Sequence, residues 1–371
     1  MNGPLNPACA EVERVLIYRL GSLGDNVVAL PSYHQIARAF PRAERRLLTN
    51  IPVHRKAPAA SAVLGDSGLI HGYIAYPIGL RSLSSILTLR SEIRRFHPQV
   101  LVYLGSLRGF PAALRDKWFF RFCGIPKIVG VPQSRSDCKR RRISGTTYRE
   151  SEAERLARGI RDLGAFDLEA PSSWDLNLTD AELHRAKETV SAMNEARFLA
   201  VSLGTKAQAN DWGEANWTAL LSRLAAHLPD YRLAMVGADD EADACSRASI
   251  AWQERAINLC GLLTPRESAA LFRSAELFIG HDSGPMHLAA AVGVPSVAVF
   301  SARNFPGVWF PHGRQHRVIY HQTDCAGCEL VTCIEQQKKC ILSITVDEVF
   351  DAVLSQLSRN PAEGRIASVL G

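Results

Sequence analysis

Glu276-Leu-Phe-Ile-Gly-His-Asp-Ser-Gly-Pro-Met-His-Leu-Ala-Ala-Ala-Val-Gly-Val-Pro-Ser-Val-Ala-Val-Phe300 is the stretch whose reading decides the fold. Leu277 to Gly280 is a short apolar run suited to a buried strand. Met286 to Val292 is rich in alanine and favours helix, and Pro295 to Phe300 reads as a second buried strand. Between the first strand and the helix stand His281, Asp282, Ser283, Gly284 and Pro285. Polar side chains and free backbone N–H groups therefore gather at a strand's carboxyl end and a helix's N-terminus, a place that suits phosphate. The glycines match no dinucleotide fingerprint. The Ser283 hydroxyl and the amides after it would cradle a pyrophosphate. Asp282 and Ser283 could instead merely cap the helix, but capping alone leaves His287, one turn further and facing the same end, without a purpose.

The same strand, turn, helix theme recurs on both sides. Upstream, Phe198 to Leu203 reads as a strand running into Gly204-Thr205-Lys206-Ala207-Gln208-Ala209-Asn210-Asp211-Trp212. Asn216 to His227 is helical, and Tyr231 to Val236 is a strand ending in Gly237-Ala238-Asp239-Asp240-Glu241. Thr179 to Asn194 and Pro265 to Ser274 are further helices. In the first half, Val12 to Leu20 reads as a strand, Arg14-Val15-Leu16-Ile17-Tyr18, breaking into Arg19-Leu20-Gly21-Ser22-Leu23-Gly24-Asp25-Asn26, and helix-spaced apolar residues then run from Val27 to Phe40. Strands at 46–49, 72–76, 100–104 and 128–130 alternate with helices at 83–96, 111–123 and 150–163. This alternation predicts α/β domains, each a parallel sheet with helices on both faces. Pro171-Ser172-Ser173 marks the link between an N-terminal domain, 1–172, and a second domain, 173–345. A last helical stretch opens at Val346, leaving 346–371 as a C-terminal segment. Two doubly wound domains leave a cleft, and Asp25 on one wall would face Lys206, Glu241, Asp282 and His287 on the other. Asp25 lies at a strand's carboxyl end, where open α/β sheets place ligands.

Composition bounds the function. The chain has 371 residues, 47% of them hydrophobic, enough for two cores, and no apolar run is long enough to span a bilayer. No basic segment followed by an apolar one opens the chain, so a cytoplasmic protein is expected. Residues 1–170 hold 26 Lys and Arg against 14 Asp and Glu, whereas residues 171–371 hold 17 against 23. A basic first half calls for an anionic partner. Lys139-Arg140-Arg141-Arg142 is the candidate membrane-surface patch, with a solvated loop as the plain reading. Nucleic acid is disfavoured, since no basic stripe interleaved with aromatics appears.

Three segments in order, Leu20 to Asp25, Asp282 to Ala291 and Cys325-Ala-Gly-Cys328, resemble glycosyltransferase family 9, the ADP-heptose:lipopolysaccharide heptosyltransferases, over residues 12 to about 355. The resemblance implies a GT-B fold: two Rossmann-like doubly wound domains facing across a cleft, acceptor on the first, nucleotide-sugar donor on the second, and a C-terminal helix packing back towards the first. It implies Asp25 as general base, with Gly21, Ser22 and Gly24 in the loop that meets acceptor or phosphate. Asp282, Ser283, Gly284, Pro285, Met286 and His287 would form the donor-binding motif, Glu241 would hold the ribose hydroxyls, and Thr205 would lie near the phosphates. Relatives carry a lysine or arginine two residues before the loop tryptophan, Trp212. Here Asn210 stands there, and Lys206 is the nearest basic replacement.

The chemistry suits these residue types. Inverting glycosyl transfer needs a base for the acceptor hydroxyl and positive charge or N–H donors for the departing nucleoside diphosphate, so no metal cofactor is required for catalysis. The acceptor would be a lipopolysaccharide core or another anionic or lipid-linked glycan, met by peripheral contact with the inner membrane. A transferase using a UDP- or GDP-sugar, a nucleotide-sugar epimerase of the same fold, and a catalytically inactive glycan-binding relative are the alternatives. Cys325, Cys328, Cys333 and Cys340 have a spacing that would let four thiolates close on one structural zinc or iron ion; reduced thiols or cystines are the other readings.

Overall fold

The computed structural model describes residues 11–51, 59–77, 82–165 and 167–359. The chain divides into two compact units, Met1–Thr179 and Asp180–Gly371. In the first, β1 (Arg14–Tyr18) leads through α1 (Leu23–Val27) and α2 (Leu30–Ala39) to β2 (Glu44–Asn50). A short α3 (Ser61–Leu64) precedes β3 (Gly72–Tyr76). Then come α4 (Leu83–Phe96), β4 (Val100–Tyr103), α5 (Phe110–Phe122), β5 (Lys127–Val129) and α6 (Glu152–Gly159). The strands pair in the order β3-β2-β1-β4-β5, and every pairing is parallel. β1 is central because Val15-Leu16-Ile17-Tyr18 is apolar on both faces, as a strand covered by helices on both sides must be. Ile17 lies opposite Leu47 on one side and Val102 on the other. Leu89, Ile93 and Phe96 of α4 join Ala113 and Phe120 of α5 in one core against this sheet.

The stretch read as one helix over 150–163 ends early. α6 stops at Gly159, and Arg161–Leu163 tightens into a 3-10 turn. The stretch chosen as the domain link is also packed. Trp174 is buried and donates its indole N–H to the Leu168 carbonyl, so 173–179 stays with the first unit.

The second unit runs α7 (Asp180–Ala192), β6 (Phe198–Ser202), α8 (Glu214–His227), β7 (Arg232–Met235), α9 (Ala242–Ala248), β8 (Ala256–Asn258) and α10 (Pro265–Phe272). It continues with β9 (Leu277–His281), α11 (Gly284–Ala291), β10 (Ser296–Phe300), β11 (Arg317–Tyr320), α12 (Lys339–Leu342) and α13 (Val346–Ser358). The sheet order is β11-β10-β9-β6-β7-β8, again parallel in every pairing. α13 is capped by Thr345, which accepts from the Glu348 N–H, and buries Val349, Phe350 and Val353 in this unit's own core. Of the segment 346–371 expected to pack back towards the first domain, residues 360–371 lie outside the described residues. Among the described residues no helix is long and apolar enough to cross a membrane.

Candidate functional site

Each sheet reverses its winding once. In the first unit β2 and β3 lie on one side of β1 and β4 on the other; in the second, β7 and β8 lie on one side of β6 and β9 on the other. At such a reversal the loops leaving two adjacent strands diverge and open a crevice at the strands' carboxyl ends. The loops there are 19–26 and 104–109 in the first unit, and 203–213 and 282–283 in the second. The topology thus brings the sequence-selected residues to two crevices, one per unit.

In the first unit, Asp25 sits on the first turn of α1 with its side chain 31% exposed. Its Oδ2 accepts from the Ser22 backbone N–H at 2.8 Å and from the Ser22 hydroxyl at 3.0 Å. Asp25 therefore closes the helix turn, and it still reaches solvent. Gly21 makes room for it: with φ +149°, a Cβ there would stand 2.4 Å from the Asp25 Cβ. Gly21 also donates its N–H to Asn50. Beneath the loop lies Arg19, 1% exposed, whose Nη2 donates to the Asp25 carbonyl and stands 3.6 Å from its Oδ1.

Arg19 is held in turn by Glu152, at 2.8 Å. Burial alone would raise the Glu152 carboxyl, but Arg155, Arg19 and Arg140 around it hold it well below the usual carboxylate range. Arg140 thus turns inward to an ion pair at 2.7 Å, while Lys139, Arg141 and Arg142 stay exposed. The cationic run is in part a fastener of α6, which weakens its reading as a membrane patch.

The facing loop adds Arg108, whose Nη2 donates to the Tyr18 hydroxyl at 3.0 Å and to buried Asp116 at 2.6 Å. Arg115 pairs with the other Asp116 oxygen at 2.9 Å.

In the second unit, Ser283 occupies the N-cap position of α11 with extended backbone, yet its hydroxyl makes no capping bond. That oxygen is buried and has no hydrogen-bond partner, a costly state unless a ligand supplies one. Gly284 and Pro285 form the first turn after it, and Met286 is wholly buried beneath.

Glu241 lies across the ends of two strands. A Cβ on Gly204 would stand 1.8 Å from its Oε1, and one on Gly237 would stand 2.2 Å from its Oε2. The carboxylate also accepts from the Ala238 N–H at 2.9 Å. Gly204→Ala must therefore displace the carboxylate. If Glu241 holds the ribose hydroxyls, as the resemblance implies, ADP affinity falls by about 10 to 100-fold, the worth of one or two bonds to a charged group, with little change in melting temperature. Titration calorimetry that found equal affinity would separate Glu241 from the nucleotide.

The loop after β6 is organised by the core. Trp212 is wholly buried and gives its indole N–H to the Ile344 carbonyl, so it anchors the loop and offers no face to a ligand. Asn210 is likewise buried; it accepts from Ser301 at 2.5 Å and donates to the Asp282 carbonyl at 3.3 Å. It ties the two crevice loops together. Thr205 bonds only weakly within its turn, and Lys206 is exposed. Sequence reading overlooked Lys338, whose ammonium donates to the Asp211 carbonyl at 2.8 Å.

Lys338 belongs to the cysteine segment, which also pins the loop through the Ala209 N–H to Val331 and the Cys333 N–H to Gln208. Among the described residues all cysteines are free, and no group of three or more His, Cys, Asp or Glu is arranged to hold a metal. Of the four thiols whose spacing would let them close on one ion, Cys340 is buried at the start of α12, its thiol raised by that burial and by Cys325 and Cys333 nearby, while Cys328 is exposed.

Three histidines complete the unit. His281 accepts at Nε2 from the Trp212 backbone N–H and the Trp217 indole N–H, at 3.0 and 3.2 Å. Burial pushes His281, His287 and His316 down to about 4 each, with His316 also lowering His287. All three are neutral at pH 7. An unfolded histidine titrates near 6.5, so their stabilisation is complete above about pH 6.5 and is lost as pH falls towards 4, by roughly 3 kcal/mol each at most. Denaturant midpoints should drop between pH 7 and 5. A midpoint independent of pH across that window would contradict this.

A sequence profile of glycosyltransferase family 9 (heptosyltransferase) matches residues 110–339. Lipopolysaccharide heptosyltransferase 1 of Pseudomonas aeruginosa is 26% identical over 340 residues, covering 87% of this chain and 88% of that protein. Of solved structures, the glycosyl transferase family 9 protein from Veillonella parvula aligns with a TM-score of 0.69 at 16% identity, over 94% of this chain and 98% of that one. E. coli ADP-heptose lps heptosyltransferase II aligns with a TM-score of 0.64 at 18% identity, over 94% and 99%. At those identities the likeness establishes the fold, two doubly wound α/β units in the GT-B class.

Proposed function

Given that the chain belongs to glycosyltransferase family 9, the heptosyltransferase family, we propose that it moves heptose from ADP-heptose onto a lipopolysaccharide-core acceptor, with inversion and without a catalytic metal. The observation that carries this reading is the buried, unpartnered Ser283 hydroxyl at the N-terminus of α11, beside a sheet reversal. A pyrophosphate oxygen completes that hydroxyl, and the N–H groups of the first helical turn and the helix dipole favour its charge. Asp282, Ser283, Gly284 and His287 line the diphosphate, and Glu241, seated over two strand ends, takes the ribose hydroxyls. Lys206, exposed on the adjoining loop, supplies positive charge to the leaving group in place of the basic residue absent at Asn210.

In the transfer step the acceptor hydroxyl oxygen attacks the anomeric carbon while the bond from that carbon to the pyrophosphate oxygen breaks. The hydroxyl proton passes to Asp25, and the electron pair of the broken bond leaves on ADP, whose charge the α11 N-terminus offsets. Gly21, Ser22 and Gly24 shape the loop that sets Asp25, while Arg108 and Arg115 at the other lip of the first crevice suit an anionic acceptor. The reaction takes place at the cytoplasmic face of the inner membrane, and the cysteine segment acts as a brace for the donor loop.

The test is incubation with ADP-heptose and a heptose-free lipopolysaccharide core. The expected outcome is release of ADP, a mass gain of one heptose, an inverted anomeric configuration, and a rate unchanged by a strong chelator, because fixed N–H donors and a lysine carry the charge a metal would otherwise offset. Transfer only from UDP- or GDP-sugars, or loss of the rate on chelation, would overturn the corresponding part.

A further inference from the structure

α4 and α5 lie side by side on one face of the first sheet, and both bury an inner stripe: Leu89, Ile93 and Phe96 on α4, Ala113, Phe120 and Cys123 on and just after α5. Their outer stripes are unusual. Leu83 and Leu87 on α4, and Leu114, Trp118 and Phe122 on α5, are exposed, Leu83 by 79% and Trp118 by 68%. Positions 83, 87, 90 and 94 fall on one line of α4, and 114, 118 and 122 on one line of α5, by their spacing of three and four residues. The two lines meet, because Arg90 stacks its guanidinium 4.2 Å from the Phe122 ring centre and donates to the Phe122 carbonyl at 3.0 Å. α5 is thus apolar on two opposite faces, only one of which the core uses.

The charge around this surface is one-sided. The two helices carry Arg90, Arg94, Arg95, Arg115, Lys117 and Arg121 against Glu92 and Asp116, and Asp116 is buried against Arg108 and Arg115. Large apolar side chains including a tryptophan, ringed by arginine and lysine, match the composition of a helix face that lies in a bilayer interface. There the rings enter the acyl boundary, and the cations stay among anionic headgroups.

We infer that the α4–α5 face of the first unit is the surface by which this protein docks on an anionic phospholipid membrane, with Trp118 and Phe122 inserted and the surrounding arginines on lipid phosphates. This places the membrane contact away from Lys139–Arg142, whose Arg140 is committed to Glu152. The inference deepens the proposed function, since a lipid-linked acceptor is presented at such a surface, and for that purpose it rests on that reading. The docking itself is tested without the reaction, so the two can fail separately.

The full chain is sedimented with vesicles of phosphatidylcholine alone and of phosphatidylcholine with an equal part of phosphatidylglycerol, alongside Trp118→Ser/Phe122→Ser and Arg90→Gln/Arg121→Gln variants. Trp118, Phe122 and Arg121 are exposed and Arg90 is half-buried, and melting temperatures are recorded to show that each variant is folded. The expected result is binding to the anionic vesicles only, weakened by salt and lowered on the order of tenfold in each variant. No binding to anionic vesicles, or equal binding by the Trp118→Ser/Phe122→Ser variant, overturns the inference. A wild-type oligomer that this variant splits, with no effect of either variant on vesicles, also overturns it and assigns the face to contact between copies of the chain.

Discussion

Asp25→Asn is expected to lower the rate of transfer by about 10² to 10⁴-fold while leaving the protein folded. The amide oxygen can still accept from the Ser22 N–H that Asp25 Oδ2 now binds at 2.8 Å, so the first turn of α1 stays closed. What is lost is the ability to take a proton. Arg19 and Ser22 position this carboxylate, and their contacts are with the loop rather than with the reacting atoms. Steady-state kinetics should show the loss in kcat with KM for donor little moved, and ADP titration should give an unchanged affinity. A variant within a few-fold of wild-type kcat would remove Asp25 from the role of base.

The second large effect is on stability. Glu152→Gln should cost about 3–5 kcal/mol, because the carboxylate it removes compensates buried arginines. Glu152 accepts from Arg19, Arg155 and Arg140 at 2.7–2.8 Å, and Arg19 and Glu152 are 1% and 3% exposed. With total stabilities of roughly 5–15 kcal/mol, such a loss is a large fraction. The carboxyl is held below its ordinary range, so the stabilisation is present above about pH 4.5 and is lost as pH falls below it. Denaturant unfolding at pH 7 and at pH 3.5 checks both parts. A variant as stable as wild type at pH 7 would mean that the arginines are compensated elsewhere.

Much of the scaffold was legible because its signals are local. β3 and α4 are read to their ends, since apolar spacing and the capping residue Ser82 agree on the same boundaries, whereas the strand read over 12–20 shortens to β1 at Arg14–Tyr18. β8 and β11 were missed: three and four residues long, at sheet edges and only partly buried, they offer no more than two or three apolar residues each. α9 was hidden behind the polar residues 239–243, which read equally well as loop. The contiguous segment 282–287 stood out for the same local reason, and the structure places it between the end of β9 and the first turn of α11.

The supports of the site were not legible. Glu152 lies 133 residues from Arg19 and Lys338 lies 127 from Asp211, and only the folded chain brings them together. Buried Arg19 did leave one trace, a cation directly continuing an apolar strand. Burial is a further property that residue type does not carry: Trp212, Met286 and Asn210, expected near the donor, are all buried.

The claim that this site takes an ADP-linked donor is tested most directly by calorimetric titration of ADP, UDP and GDP into the wild-type chain and Ser283→Ala. ADP is expected to bind in preference to the other two. Ser283→Ala should weaken ADP by roughly 10-fold or more, the worth of a hydrogen bond to a charged phosphate oxygen, without lowering stability, since the hydroxyl it removes has no partner in the protein. Equal affinity for ADP in both proteins, or a preference for UDP or GDP, would contradict it.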